Sequence, residues 1–371
     1  MSRPCYAQVD LEALRHNYRL AGELAPSAQA VAVVKANAYG HGAVEAAKAL
    51  EPLAPALGVA CIEEALELRH AGIQKPILLL EGIFSADEVA IASEEHFFLM
   101  VENLEQIEAI IQADIDQALH CWLKVDTGMH RLGLLPEQVD AALAVLKASP
   151  NVQPDIIMAS HFASADELDN PSNAEQLRCF DKLIAECEQA QGLDQSLANS
   201  ATILAHPSAH RQWLRPGFML YGASPFTEDN ENAAKLKPVM SLISEVISLR
   251  PIQSGERVGY GGKWQAERDS IIATIACGYG DGYPRHASNG TPVLIDGQEA
   301  PLVGRVSMDM ITVDVTDIAN VQLGSRAEMW GKNLCVNRIA EHAHTIAYEL
   351  LTRMPARPPR VYQNEHPNRE A

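Results

Sequence analysis

From Tyr6 to about residue 220 the chain alternates short apolar runs with longer amphipathic stretches, and this alternation limits the fold more than any other feature. The apolar runs that fit strands are Tyr6–Val9, Ala30–Lys35, Leu57–Ala60, Ile77–Leu80, Phe97–Val101, Leu119–Val125, Asp155–His161 and Ser196–Ser200. Between most of them lie helix-period segments with start signals: Asp10 before Leu11, Ser85-Ala86-Asp87-Glu88 as a capping box, and Pro136-Glu137 at a first turn. About eight strand–helix alternations predict an α/β fold with an N-terminal (β/α)8 TIM-type barrel, an open doubly wound sheet being the competing arrangement. A barrel carries its catalytic groups just after strand C-termini, and Lys35, Arg131 and His161 all fall there.

The polar segment Thr227-Glu228-Asp229-Asn230-Glu231-Asn232 breaks the alternation and reads as a linker. After it the period becomes that of strands: Met240–Leu249, Glu256–Trp264, Ser270–Cys277, Thr291–Ile295 and Ile311–Val315, with Asp296-Gly297 as a tight-hairpin signal. The division is therefore a barrel over residues 1–231 and a mostly-β C-terminal domain over 232–371, closing with a short helix around Tyr348–Leu351. From Pro355 the tail (Pro-Ala-Arg-Pro-Pro-Arg) is too proline-rich for regular structure and reads as a loosely held strap. A length of 371 residues suits two domains.

Composition narrows the partners. Lys+Arg 29 against Asp+Glu 48 gives a net charge of −19, which argues against nucleic acid or an anionic membrane and leaves a small zwitterion compatible. No window is apolar enough to span a bilayer and the first residues lack a signal-peptide core, so a cytoplasmic location is expected. The seven cysteines form no CxxC and read as reduced core thiols rather than a disulfide frame or a zinc site.

The chemistry centres on Ala30-Val31-Ala32-Val33-Val34-Lys35-Ala36-Asn37-Ala38-Tyr39-Gly40-His41-Gly42, where one lysine ends an apolar run just before a glycine-flanked turn. A buried ammonium without a partner is costly, so such a lysine is either paired or shifted toward the neutral amine. The neutral amine is a nucleophile for carbonyls such as that of pyridoxal phosphate. The alternative is a strand-end lysine snorkelling to solvent.

The stretch Val-Val-Lys-Ala-Asn-Ala-Tyr-Gly-His-Gly on the second strand of the expected barrel, with a β domain behind it, resembles the bacterial alanine racemases. Further stretches fit in order: Leu123–Gly133, Ser160-His161-Phe162-Ala163, Asn199-Ser200, Arg215-Pro216-Gly217, Val258–Gly261, Gly278–Tyr283, Gly304–Met310 and Tyr348-Glu349. The resemblance implies a PLP enzyme interconverting L- and D-alanine, for peptidoglycan or D-alanine catabolism, by two bases: Lys35, which also holds the cofactor, and Tyr260 on the opposite face of Cα. A phenol is a poor base at neutral pH, so the proton of Tyr260 must be drawn off by a polar neighbour, and the family's candidate is His161, backed by Arg215. Gly259 and Gly261 strip bulk from beside the Tyr260 ring and let another chain or ligand approach; otherwise Tyr260 is a packed aromatic.

By the same resemblance Arg215 stands at the cofactor's pyridine nitrogen, where a guanidinium cannot hand over its proton. Otherwise it caps a helix or meets a surface carboxylate. The phosphate is held by Ser200, the backbone N–H groups of Gly217 and Phe218, and the hydroxyls of Tyr39 and Tyr348. Arg131 contacts the cofactor's phenolic oxygen and the substrate carboxylate, which also meets the backbone N–H of Met308. Lys124 matches a lysine often carbamylated to orient that arginine; alternatively it bridges to Asp126 or a neighbouring acid. Tyr279 and Tyr260 form the inner gate, and Asp166, Arg285 and Arg305 an outer polar corridor, or else surface ion pairs. The resemblance further implies a homodimer in which Tyr260, Tyr279 and Met308 reach the partner's site. The competing readings are a broad-specificity amino-acid racemase on the same scaffold, whose members resemble secreted proteins, and a non-catalytic PLP-binding homeostasis protein, which resembles a barrel alone.

Overall fold

The computed structural model describes residues 2–364. After a first strand β1 (Tyr6–Asp10) and the helix Leu11–Leu24, strands alternate with helices: β2 (Gln29–Val33), β3 (Ala56–Val59), β4 (Ile77–Leu79), β5 (Phe97–Val101), β6 (His120–Lys124), β7 (Ile157–Ala159), β8 (Gln195–Ser196) and β9 (Trp213–Leu214). These eight are parallel and pair in the order β8-β7-β6-β5-β4-β3-β2-β9. The seam between β8 and β9 is bridged by the Arg215 N–H donating to the Ala198 carbonyl at 2.9 Å and the Gln195 N–H to the Gln212 side chain at 3.1 Å. The result is a nearly closed barrel. Its strands are apolar on both faces: Val31, Ala56, Leu78, Met100 and Trp122 form one buried cluster, while the alternating neighbours Ala32, Leu57, Leu79, Leu99 and Cys121 join the main core.

A second sheet is built around β10 (Met240–Ile252), which pairs antiparallel with β1, with Ser270–Ile275 and with Arg326–Trp330. Irregularities in its register at Leu242/Ile243 and Val246/Ser248 let one long strand serve several partners. The expected hairpin is present: Asp296 and Gly297 take φ of 47° and 85° between Pro292–Ile295 and Gln298–Pro301, the two positive angles a tight hairpin turn requires. The helix foreseen around Tyr348–Leu351 runs Ala347–Thr352. No helix among the described residues is long and apolar enough to cross a membrane.

Three strand expectations need correction. Tyr6–Asp10 is not a barrel strand but lies between β10 and the strand Arg360–Gln363 in the second sheet. Its alternating burial suits a sheet with one wetter face, whereas barrel strands are buried on both. Lys35 accordingly follows the first strand of the barrel, and the eighth strand is Trp213–Leu214, too short to show a period. The stretch Glu256–Trp264 is not one strand but a small hairpin, Arg257–Val258 with Trp264–Gln265, around the turn Tyr260–Gly262.

The proline-rich tail is held firmly up to residue 364. Arg360–Gln363 pairs parallel with β1, and the Arg360 guanidinium donates to the carbonyls of Gly40 at 2.9 Å and Met354 at 2.9 Å. The part of the tail beyond 364 lies outside the described residues.

Candidate active site

At the C-terminal end of the barrel the strands open on a cavity of about 630 Å³, lined by Lys35, Tyr39, Lys124, Arg131, His161, Ser200, Arg215, Gly217, Phe218 and Tyr348 among others. Ten residues singled out in the sequence thus share one space.

Lys35 is presented by an unusual backbone. Val34 and Lys35 follow β2, and the next four residues, Ala36, Asn37, Ala38 and Tyr39, have φ of 52°, 54°, 52° and 50°. A left-handed turn of non-glycine residues costs roughly 1–2 kcal/mol per residue, so neighbours must hold it. The Ala36 N–H donates to the Glu64 carboxylate at 2.7 Å, and the Asn37 side chain accepts from Ala43 N–H at 2.8 Å. Buried His41 places Nδ1 at 3.0 Å from the Ala38 carbonyl and 2.9 Å from that of Tyr39, which makes Nδ1 the protonated nitrogen. Tyr39 stacks on Tyr221 with ring centroids 4.7 Å apart, and its hydroxyl lies where Gly217 has no side chain: a Cβ there would stand 2.8 Å from it. Burial pushes the Tyr39 phenol up to about 12, so it remains a donor.

Opposite stands Arg215, only 7% exposed. Its guanidinium donates to the Ser196 carbonyl at 2.7 Å, the Ser196 hydroxyl at 2.6 Å and the Ser160 carbonyl at 2.6 Å, a cage that fixes the group. Burial brings it down to about 10, still cationic at neutral pH. It also donates to His161 Nδ1 at 3.3 Å. Since arginine only donates, the neutral ring carries its proton on Nε2. Burial, then the charges of Arg215, Arg131, Lys124 and Lys35, hold His161 well below the ordinary histidine range. The Ser200 hydroxyl accepts from the N–H groups of Gly217 and Met219, each at 3.1 Å, and Phe218 stacks on Tyr348 at 3.5 Å. Burial also pushes the Tyr348 phenol up.

Lys124 donates to Glu102 at 2.6 Å. Burial lowers the Lys124 ammonium and raises the Glu102 carboxyl, each opposed by the other's charge. In a protein of net charge −19 the cavity is lined by four basic side chains, of which Lys124 is paired with Glu102, against one acidic side chain, Glu81, a setting for an anionic ligand.

Other residues singled out in the sequence stand elsewhere. Tyr260 is 72% exposed, Met308 53% and Tyr279 38%. Arg285, Arg305 and Asp166 are exposed, Asp166 close enough to Tyr348 to act on it electrostatically. The turns bearing Tyr279 and Met308 are knit together: Tyr279 N–H donates to the Ser307 carbonyl at 3.0 Å and Gly280 N–H to that of Met308 at 2.8 Å. Gly259 and Gly261 have φ of 71° and 70°, and what closes on them within the chain is Arg305, whose N would lie 3.4 Å from a Cβ at Gly259.

The chain matches the model of the N-terminal domain of alanine racemase over residues 9–225 and that of the C-terminal domain over residues 239–362. It belongs to the alanine racemase family. Alanine racemases are isomerases. The chain is 51% identical to the catabolic alanine racemase of Pseudomonas aeruginosa, over 97% of this chain and 99% of that one. The solved biosynthetic alanine racemase from Pseudomonas aeruginosa matches with a TM-score of 0.93 at 48% identity, covering 97% of this chain and 99% of that one. That of Bartonella henselae, described with covalently bound pyridoxal phosphate, matches at 0.87 and 31% identity, over 97% and 99%. Similarity to catabolic and to biosynthetic relatives is nearly equal, so it does not assign a metabolic role.

Among the residues that the sequence does not single out are Glu81, on the cavity wall, and two carboxylates that hold groups of the site. Glu102 is one; it directly follows β5, and the β5–β6 register that sets Val101 beside Leu123 brings it next to Lys124. Glu64 is the other, whose carboxylate joins the N–H groups of Ala36 and Ala60 at 2.7 and 2.8 Å. Neither contact leaves a local signal in the sequence.

Proposed function

We propose that the chain interconverts L- and D-alanine with pyridoxal phosphate by a two-base mechanism, Lys35 serving one face of Cα and Tyr260 of the partner subunit the other. The observation that carries this reading is the barrel-end cavity, where the amine of Lys35 shares its walls with caged Arg215, neutral His161 and the hydroxyls of Ser200, Tyr39 and Tyr348. The donor set fits the cofactor. Tyr39, Tyr348 and Ser200, with the Gly217–Phe218 backbone, surround the end where a phosphate needs donors, and the missing Cβ of Gly217 keeps the Tyr39 hydroxyl in place. When bound, pyridoxal phosphate draws electron density from the substrate Cα and so acidifies its proton.

The remaining work falls to side chains. Lys35 Nζ tethers the cofactor and, when free, takes or returns the Cα proton. Arg215 would meet the pyridine nitrogen: burial lowers its pKa only to about 10, so it would donate a hydrogen bond there without giving up its proton. His161, with Nδ1 committed to Arg215, offers Nε2–H and therefore supports Tyr260 by donating to a phenolate rather than by accepting its proton. Arg131 and the Met308 N–H take the substrate carboxylate, while Tyr260 with Tyr279 sets an alanine-sized entrance beyond which lie Asp166, Arg285 and Arg305. A homodimer, with the junction of barrel and β domain at 231/232, brings the exposed group to the cavity. Carbamylation of Lys124 belongs to the same proposal: burial favours the neutral amine that attacks CO2, and Glu102 can take up the proton released.

Borohydride reduction of the purified protein, followed by peptide mapping, is the direct test. Label is expected on Lys35, and Lys35→Ala should lose the visible cofactor absorbance with a fall of at least about a thousandfold in racemisation. Label on another lysine would overturn the assignment. Absence of both D-alanine formation and Cα exchange in D2O would overturn the activity.

A further inference from the structure

Outside the cavity, one cluster of reactive groups has no part in the proposed reaction. Cys5, just before β1, and Cys277, just after the strand Ser270–Ile275, are both buried, and their sulfurs lie with the Asp281 carboxylate within 4.8 Å of one another. They come from opposite ends of the chain. Cys277 is followed at once by the Gly278–Tyr283 turn that carries Tyr279.

A metal fits this trio poorly. Asp281 is fully buried, and its oxygens accept from Arg3 at 2.7 and 2.8 Å, from Arg357 at 2.8 Å and from the Gly278 N–H at 2.9 Å. A cation would have to displace two guanidinium groups from a carboxylate they already neutralise. The largest influence on each thiol is the other: that contact lowers Cys5 and raises Cys277, while burial and the Asp281 charge oppose a Cys5 thiolate and Arg3, by charge and by hydrogen bond, favours it. One is thereby the better nucleophile and the other holds its proton. An open cleft of about 320 Å³ is lined by Pro4 and Ala276, the chain neighbours of the two buried cysteines, together with Arg3, Ile247, Asp309 and Met310. By contrast, burial raises the thiols of Cys61 and Cys187 and pushes Cys121 up to about 12.

We propose that Cys5 and Cys277 are an oxidisable pair that closes to an intrachain disulfide, a covalent modification site at the root of the turn bearing Tyr279. With a peroxide as the two-electron oxidant, the Cys5 sulfur attacks one peroxide oxygen. An S–O bond forms, the O–O bond breaks, and the thiol becomes a sulfenic acid with release of water. The Cys277 sulfur then attacks the Cys5 sulfur, the S–S bond forms, and the hydroxyl leaves with the Cys277 proton as a second water. Two thiols and one peroxide give one disulfide and two waters, and a dithiol reductant reverses the outcome. The bond requires the sulfurs to approach to about 2.05 Å, which ties the segment before β1 to the turn after Cys277.

The test uses the full chain loaded with its cofactor, treated with hydrogen peroxide and blocked with an alkylating reagent. Non-reducing peptide mapping should show the Cys5 and Cys277 peptides linked, with two alkylatable thiols per chain lost and recovered after dithiothreitol. Cys5→Ser and Cys277→Ser should each abolish the link; if either variant fails to fold, mapping of the unmodified sequence still decides. Sulfinic acid on one cysteine without a link, a link between other cysteines, or loss of both thiols through stoichiometric zinc would each overturn the proposal. The readout is a covalent bond, so the outcome stands apart from whether the chain racemises alanine.

Discussion

The barrel-end cavity and the exposed loops at Tyr260, Tyr279 and Met308 are built in opposite ways. In the cavity several functional side chains stand at or just after strand ends and are fixed by buried partners, as Arg215 is by Ser196 and Ser160 and Lys124 by Glu102. In the loops the backbone is fixed instead: turns are tied carbonyl to N–H, while the side chains stand out, Tyr260 at 72% exposure. A large aromatic ring held on a rigid frame but left in solvent is poorly used by its own chain. The contrast teaches that one region is finished within the chain while the other leaves its side chains to solvent, as the proposed shared site requires.

The largest effect comes from separating the two regions onto different chains. If Lys35 and Tyr260 of the partner subunit meet across a two-fold interface, a hybrid of one Lys35→Ala chain and one Tyr260→Phe chain has one site with both lesions and one with neither. Random co-assembly makes about half the dimers hybrid, so about a quarter of all sites regain full activity although each homodimer is nearly dead. Activity of the co-expressed mixture no higher than the mean of the two homodimers would show that both residues serve one site from one chain. Tyr260→Phe alone should keep its cofactor and lose exchange from L-alanine more than from D-alanine, because only the Lys35 face remains served.

The two regions also differed in how far the sequence disclosed them. Parallel barrel strands advertise themselves as unbroken apolar runs, and on that pattern Lys35, His161 and Arg131 fall after strand ends. The sheet that Tyr6–Asp10 joins is not legible in the sequence, because nearness along the chain says nothing about a partner more than two hundred residues away, here β10. β9, with two residues, falls below any periodicity. Gly40 and Gly42 marked a turn, but Ala36, Asn37, Ala38 and Tyr39 do not announce positive φ, since the left-handed turn is imposed by Glu64, His41 and Arg360 from outside. Gly259 and Gly261 were read as room for an approaching group; within the chain that group is Arg305.

A smaller effect should come from the support of the cavity alone. His41 is fully buried with Nδ1 on the carbonyls of the left-handed turn, and burial lowers its pKa from the usual 6.5 to about 4. Between those values the unfolded chain binds a proton that the folded chain does not, so stability rises with pH across that window and is level above it. That lowering corresponds to about 3 kcal/mol, of which about 2 should be lost by pH 5. His41→Asn keeps a donor for the turn without the titration. Urea unfolding at pH 7 and pH 5 should therefore show a smaller acid loss in the variant, and an undiminished loss would transfer the effect to His161, His120 and His210, whose shifts have the same sign.

The smallest expected effect isolates the exposed region. Arg357 donates to Asp281 at 2.8 Å, to Asp309 at 2.7 Å and to the Met308 carbonyl at 3.1 Å, so one guanidinium spans the turns that carry Tyr279 and Met308. Arg3 still holds both Asp281 oxygens and the Asp309 carbonyl when Arg357 is removed, so Asp281 does not become an unpaired buried charge. Arg357→Ala should therefore cost only about 1 kcal/mol of stability. If the Met308 N–H takes the substrate carboxylate, loosening its segment should raise KM for alanine by about twofold to fivefold and change kcat less, since an interaction made alike in ground and transition states is what weakens. Arg338→Ala, which removes a surface pair with Glu299 at 2.6 Å, controls for loss of an exposed arginine. Equal KM values in the two variants would detach the Arg357 strap from substrate binding, leaving it only a structural tie between the tail and the β domain.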